Sequence, residues 1–129
     1  NTDDSVKLTL DTGHMLFAKG DSKKIIENYS SRLSHVHCKD IRKNVLEKSL
    51  KEDLSFREAF LEGAFTVPGD GCIDYIPLFD ILKKNNYSGW LVVEAEQDPK
   101  KANPLEYAIK GYKYLTETLN KSDIKIDIK

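Results

Sequence analysis

Three residues of types that bind hard cations stand at comparable places in the chain: Asp11, His37 and Glu94. Each closes a run that reads as a β-strand. Val6, Leu8 and Leu10 alternate with Lys7, Thr9 and Asp11; Ser34-His35-Val36-His37-Cys38 is the second run, and Trp90-Leu91-Val92-Val93-Glu94 the third. Parity puts Thr9 with Asp11, His35 with His37, and Val92 with Glu94 on one face of each strand. Two carboxylates and an imidazole suit Mn²⁺, Co²⁺, Mg²⁺ or Zn²⁺ better than a soft metal. Taken singly, a strand-end Asp forms turns, a lone His is a hydrogen-bonded structural residue, and Glu94 is a solvated edge charge. Three of them in the same strand-end position favour a site.

The neighbouring polar residues each carry two readings. Lys39 shares parity with His37, which makes it a candidate to stabilise an oxyanion or assist proton transfer, or else a solvated lysine. His14, three residues past Asp11, satisfies a tight turn or faces the site. Glu96 has the parity of Glu94 and competes with it as a ligand. Asp40 and Arg42 are placed to pair with each other. Pro68-Gly69-Asp70-Gly71 is a turn whose glycines supply positive φ, with Asp70 touching substrate as the second reading. His35 lies one layer deeper and reads as structural, and Cys38, opposite in parity to His37, packs against a helix. Trp90 is core by type, although its parity turns it toward a barrel interior.

The elements that must position these groups are signalled by caps and stripes. Asp21 caps a helix whose stripe is Ile25, Ile26, Tyr29 and Leu33. Residues 43–66 form a helical loop insertion with two short helices, the second opening at Ser55 with Glu58 as a capping box and stopping at Gly63. Asp74 caps a helix with Tyr75, Leu78, Phe79 and Leu82 on one side. Asn103, Pro104 and Glu106 open the last helix, whose stripe is Leu105, Ala108, Ile109, Tyr112, Leu115 and Leu119. The tail from Lys121 reads as a frayed end. Three strands alternating with helices predict an α/β fold with a parallel sheet and outer helices. A closed (β/α)8 barrel needs eight such units and typically ~250 residues. The 129 residues therefore read as one partial barrel domain, about three βα units that need partner strands.

Composition excludes several classes. With 20 basic and 21 acidic residues and a net charge of −1, nothing electrostatic favours nucleic acid or an anionic membrane. No apolar run approaches the ~20 residues of a spanning helix. Cys38 and Cys72 lie 34 positions apart outside any CxxC pair, so a reducing, cytoplasmic setting is expected. An opening on Asn1 rather than Met suggests a fragment or processed product.

The segments Leu10-Asp11-Thr12-Gly13-His14, His35-Val36-His37-Cys38-Lys39-Asp40, Phe65-Thr66-Val67-Pro68-Gly69-Asp70-Gly71 and the run from Gly89 to Pro99 closely resemble the inosose dehydratase family. That family lies within the xylose isomerase-like superfamily of TIM barrels. Asn103-Pro104-Leu105-Glu106-Tyr107-Ala108 adds to the match, which runs from about Val6 to Leu119 and resembles the C-terminal part, strands six to eight. The resemblance implies a metal held by Glu, Asp, His and Glu. Asp11, His37 and Glu94 correspond to the last three, and the first Glu would precede Asn1. It implies that His14 contacts substrate hydroxyls; the candidate catalytic residues are Glu94, Lys39 and His14, and the candidate substrate-binding residues His14, Lys39, Arg42 and Asp70. It further implies Mn²⁺ or Co²⁺ ahead of Mg²⁺ or Zn²⁺, glutathione as a further cofactor, and a small-molecule cyclitol substrate. The implied reaction removes water from 2-keto-myo-inositol to give a trihydroxycyclohexane-dione. A sugar isomerase or epimerase of the same superfamily, or an inactive barrel fragment, is the alternative. The missing N-terminal strands or a homo-oligomeric partner are expected to complete the sheet.

Overall fold

A computed structural model describes residues 2–127. The first alternating run becomes β1 (Leu8–Asp11), which passes directly into a short helix, α1 (Thr12–Phe17), that the Thr12-Gly13 break concealed. Asp21 caps α2 (Ser22–Tyr29) as predicted, accepting from the N–H groups of Lys23 and Lys24. Leu33 is not part of that helix: a single 3-10 turn intervenes, and Leu33 opens β2 (Leu33–Cys38). Ile26 is the buried member of the α2 stripe, while Tyr29 is exposed.

Between β2 and the next sheet strand lies the predicted excursion. Its base is a two-residue antiparallel pair, β3 (Asp40–Ile41) against β4 (Phe65–Thr66). Between them stand α3 (Lys43–Lys51) and α4 (Phe56–Leu61), the latter opened by the Ser55–Glu58 capping box. Gly63 ends it at φ +84°, a left-handed conformation that side chains rarely adopt. Ile41, Ala59, Ala64 and Phe65 form a small core beneath. After the turn at Gly69 come α5 (Ile76–Lys84), β5 (Trp90–Val93) and α6 (Pro104–Lys121). Asp74 accepts from the Ile76 N–H at 3.1 Å, and Asn103 accepts from Leu105 and Glu106.

The three longer strands make one parallel sheet in the order β1-β2-β5. Its register sets Asp11 beside His37 and His37 beside Val92, so the candidate strand ends lie in line. Leu10, Val36 and Cys38 turn to the other face and pack with Ile26, Tyr75, Leu78, Phe79, Leu82, Leu115 and Leu119 under the helices. The polar face is open: Thr9 is exposed and Trp90 is 55% exposed, which corrects the reading of Trp90 as core.

α6 buries the C-terminal members of its predicted stripe, Leu115 and Leu119, but not the N-terminal ones. Gly111, Leu115, Thr118 and Leu119 are buried, whereas Leu105, Ala108, Ile109 and Tyr112 are exposed. Close approach at Gly111 is the reason: a Cβ there would stand 2.7 Å from Val93 Cγ1 and 3.0 Å from Val67 Cβ. The tail is also better fixed than predicted through residue 124. Ser122 is buried, Ile124 packs against the core, and Lys83 Nζ bonds the Ser122 carbonyl at 3.1 Å.

Candidate metal centre

Asp11 is both the end of β1 and the N-cap of α1. Its Oδ1 accepts from the His14 peptide N–H at 2.8 Å, leaving Oδ2 turned to the strand ends. There Oδ2 lies 3.8 Å from His37 Nδ1, which in turn lies 3.1 Å from Glu94 Oε2. One ligand atom from each of Asp11, His37 and Glu94 falls within 4.8 Å of the others, a group that could hold a metal ion. Glu94 Oε2 gives the fit a physical test. It is buried without a hydrogen-bond partner, although His37 Nδ1 and Lys39 Nζ each stand 3.1 Å away. A buried carboxylate oxygen lacking a hydrogen bond is costly, and a cation between these three side chains would satisfy it.

Lys39 is not a solvated lysine: it is 0% exposed. Its ammonium bonds Glu96 Oε2 at 2.8 Å and His14 Nε2 at 3.1 Å, and lies 3.0 Å from Asp11 Oδ2. Burial works against its charge, but the bond to Glu96 and the nearby carboxylates of Asp11 and Glu94 outweigh burial and raise its pKa above the ordinary lysine value. Asp11 is affected in reverse: burial opposes its charge, and the His14 N–H and Lys39 hold its carboxyl below the usual range. Glu96 is lowered in the same manner, burial being outweighed by Lys39 and His14. Glu96 thus belongs to Lys39 and His14, whereas Glu94 belongs to the cluster with Asp11 and His37. His35 Nδ1 instead meets Ser34 Oγ at 3.0 Å.

What holds these groups was not visible in the sequence. Thr12 Oγ1 donates to the Lys39 carbonyl at 2.7 Å and meets the Tyr75 hydroxyl at 2.8 Å. Tyr75, fully buried, ties the start of α1 to the end of β2. The rings of Phe65 and Phe56 stand edge-on to His14, at 5.0 and 5.6 Å between centroids.

Asp40 and Arg42 do not pair with each other. Asp40 is buried and accepts from the N–H groups of Ile41, Gly69, Gly71 and Ile73, pinning the glycine turn under the site; burial raises its pKa despite those bonds. Arg42 pairs with Asp70 at 2.7 Å and bonds the Gly63 carbonyl and Thr66. Asp70 also meets Lys110, and Thr66 receives Gln97 at 3.2 Å. The structure therefore brings together Asp11, His14, His37, Lys39, Glu94 and Glu96, and engages Arg42 and Asp70 in an adjoining network. Two glycines flanking Asp70 were the one sequence signal for that tightly held turn.

The model of the xylose isomerase-like TIM-barrel family matches residues 1–118. The inosose dehydratase of Clostridium beijerinckii is 56% identical over 117 residues, covering 90% of this chain and 39% of that protein. The inosose dehydratase of Histophilus somni is 52% identical over 119 residues, covering 90% and 40%. The chain spans about two fifths of the length of these curated relatives. Among solved structures, a D-tagatose 3-epimerase-like protein superposes with a TM-score of 0.62 at 21% identity, covering 95% of this chain and 38% of that one. A xylose isomerase-like TIM barrel/4-hydroxyphenylpyruvate dioxygenase fusion protein gives 0.66 at 20% identity, covering 96% and 20%. At that identity both show the fold. No helix among the described residues is long and apolar enough to cross a membrane. A match over nearly the whole chain, carried by parallel strands under outer helices, shows that this chain belongs to the xylose isomerase-like TIM-barrel family.

Proposed function

We propose that the protein carrying this chain is a hydro-lyase acting on a keto-cyclitol of the inosose type, with a divalent cation held by Asp11, His37 and Glu94. The observation that carries the cation is the orphaned Glu94 Oε2 beside Asp11 Oδ2 and His37 Nδ1. Charge supports the same reading. Asp11, Glu94 and Glu96 against Lys39 leave two negative charges, the complement of one divalent ion. Relatives named inosose dehydratase, sharing more than half of the aligned residues, supply the substrate class.

Dehydrating such a ketone removes the proton beside the carbonyl and expels a β-hydroxyl. A divalent cation supplies Lewis-acid stabilisation of the negative charge that builds on the ketone oxygen. With Glu94 Oε2 committed to that cation, the other oxygen of the carboxylate is the one left to take the proton from carbon. His14, 40% exposed and backed by Glu96 and Lys39, faces the hydroxyls and passes a proton to the departing oxygen. Lys39 is a positioning residue because no part of it reaches solvent. Arg42 and Asp70 contribute by holding the 66–71 turn and Thr66 against Gln97. The outer edges of β1 and β5 are the seams for further barrel strands, and the open face bearing Thr9 and Trp90 would line the barrel interior.

The donor set fits Mn²⁺, Co²⁺, Mg²⁺ and Zn²⁺ alike, and the family resemblance puts Mn²⁺ or Co²⁺ first. The test is water loss from inosose by the full-length protein with Mn²⁺ or Co²⁺, run with and without glutathione. Formation of the dione is expected. Isomerisation without water loss would overturn the lyase reading, and full turnover in chelator would overturn the cation.

A further inference from the structure

Lys39 is the one fully buried lysine among the described residues, and its ammonium stands where a cation's ligand oxygens converge. Its contacts are of two kinds. Toward Glu96 Oε2, at 2.8 Å, and His14 Nε2, at 3.1 Å, they have the alignment of hydrogen bonds. Toward Asp11 Oδ2, at 3.0 Å, and Glu94 Oε2, at 3.1 Å, opposite charges meet without that alignment, and Glu94 Oε2 has no hydrogen-bond partner. The stem has little freedom, since it lies against the Gly13 backbone, where a Cβ would come within 2.8 Å of its Cγ.

We propose that Lys39 is a resident counter-cation that stands in for the divalent ion at Asp11 and Glu94, and that Glu96 is the berth holding its ammonium when the ion binds. The proposal rests on the reading that Asp11, His37 and Glu94 hold that ion. With no ion bound, three carboxylates gathered at one place repel one another, and the ammonium offsets that repulsion. An entering divalent ion must take Asp11 Oδ2 and Glu94 Oε2 from the ammonium, and two cations so close oppose each other. Glu96 and His14 already provide a hydrogen-bonded place for Lys39 that needs neither ligand. Glu96 therefore governs cation affinity without touching the cation, and its parity with Glu94 reflects service to Lys39 rather than membership of the ligand set.

The test is Mn²⁺ binding to the full-length protein, by calorimetry and electron paramagnetic resonance, in four forms: wild type, Lys39→Met, Glu96→Gln and the double variant. Removing the competing charge makes Lys39→Met bind Mn²⁺ about tenfold tighter or more. Glu96→Gln strands the ammonium on Asp11 and Glu94 and weakens binding by about tenfold. The double variant binds like Lys39→Met, because with the lysine gone Glu96 has nothing left to hold. Mn²⁺ also raises the melting temperature of Lys39→Met more than that of wild type, since its apo state lacks the counter-charge. Near-UV circular dichroism verifies folding, and Lys39→Gln serves as the second neutral variant. Weaker Mn²⁺ binding by both folded neutral variants would show that Lys39 is only scaffolding. An equal loss from Glu96→Gln in the presence and absence of Lys39 would make Glu96 a ligand. No Mn²⁺ binding by wild type would overturn the cation site itself, a result distinct from either.

Discussion

Gly13 and Lys39 occupy adjoining space so closely that a Cβ on Gly13 would stand 2.8 Å from Lys39 Cγ and 3.1 Å from its Cδ. Gly13 does not have a positive φ, so the glycine serves the lysine stem rather than a left-handed turn. Gly→Ala inside a helix ordinarily stabilises by about 0.5–1 kcal/mol. Here the sign is reversed: Gly13→Ala in α1 destabilises by about 1–2 kcal/mol, as overpacking does, and displaces the ammonium. Denaturant unfolding measures it, and a stabilised variant would show that the contact is slack.

Asp40 accepts four backbone N–H groups from two elements, so it acts as the rivet between β3 and the glycine turn. Asp40→Ala leaves buried donors unpaired and costs about 2–4 kcal/mol. A urea midpoint unchanged within error would mean that the 69–73 loop finds other partners.

Acid stability reports on Asp70. Burial disfavours its charge, but Lys110, Thr66 and Arg42 together hold its carboxyl below the ordinary value of 3.8. A lowered folded pKa means that the unfolded chain binds the proton first on acidification. The stabilisation is complete above pH 3.8 and fades as pH falls through the lower folded value. Asp70→Asn should therefore be less stable at neutral pH and show a shallower loss of stability on acidification below about pH 4. Parallel curves for the two proteins would remove Asp70 from the network.

Much of this is legible in the sequence itself. Period two placed Asp11, His37 and Glu94 on one face, and parallel register then aligned their strands. Asp21, Ser55 and Asn103 announced their helices because a side-chain oxygen at an N-cap has a specific backbone partner. Features without a period stayed hidden. β3 and β4 are two residues each, too short for alternation, so the pairing of Asp40 with Thr66 carried no local signal. Arg42 reached Asp70, 28 residues on, rather than the nearby Asp40, because Asp40 was already committed to backbone donors. Parity gave Lys39 a direction but no depth; Thr12, Gly13 and Tyr75 supply the depth. α6 was legible at Leu115 and Leu119 but misled in its first half, where its surface is apolar on more than one side and Gly111 decides which side faces the sheet.

The central claim is that Asp11, His37 and Glu94 share one divalent cation. Calorimetric titration of Mn²⁺ into the full-length protein and into His37→Ala and His35→Ala tests it most directly. The two histidines sit two residues apart on one strand, yet only His37 stands within 4.8 Å of the carboxylate ligand atoms. One equivalent of Mn²⁺ should bind to wild type and to His35→Ala alike, while His37→Ala loses about two orders of magnitude in affinity or more, as loss of a metal-site imidazole would. Equal affinity in all three proteins would contradict the account.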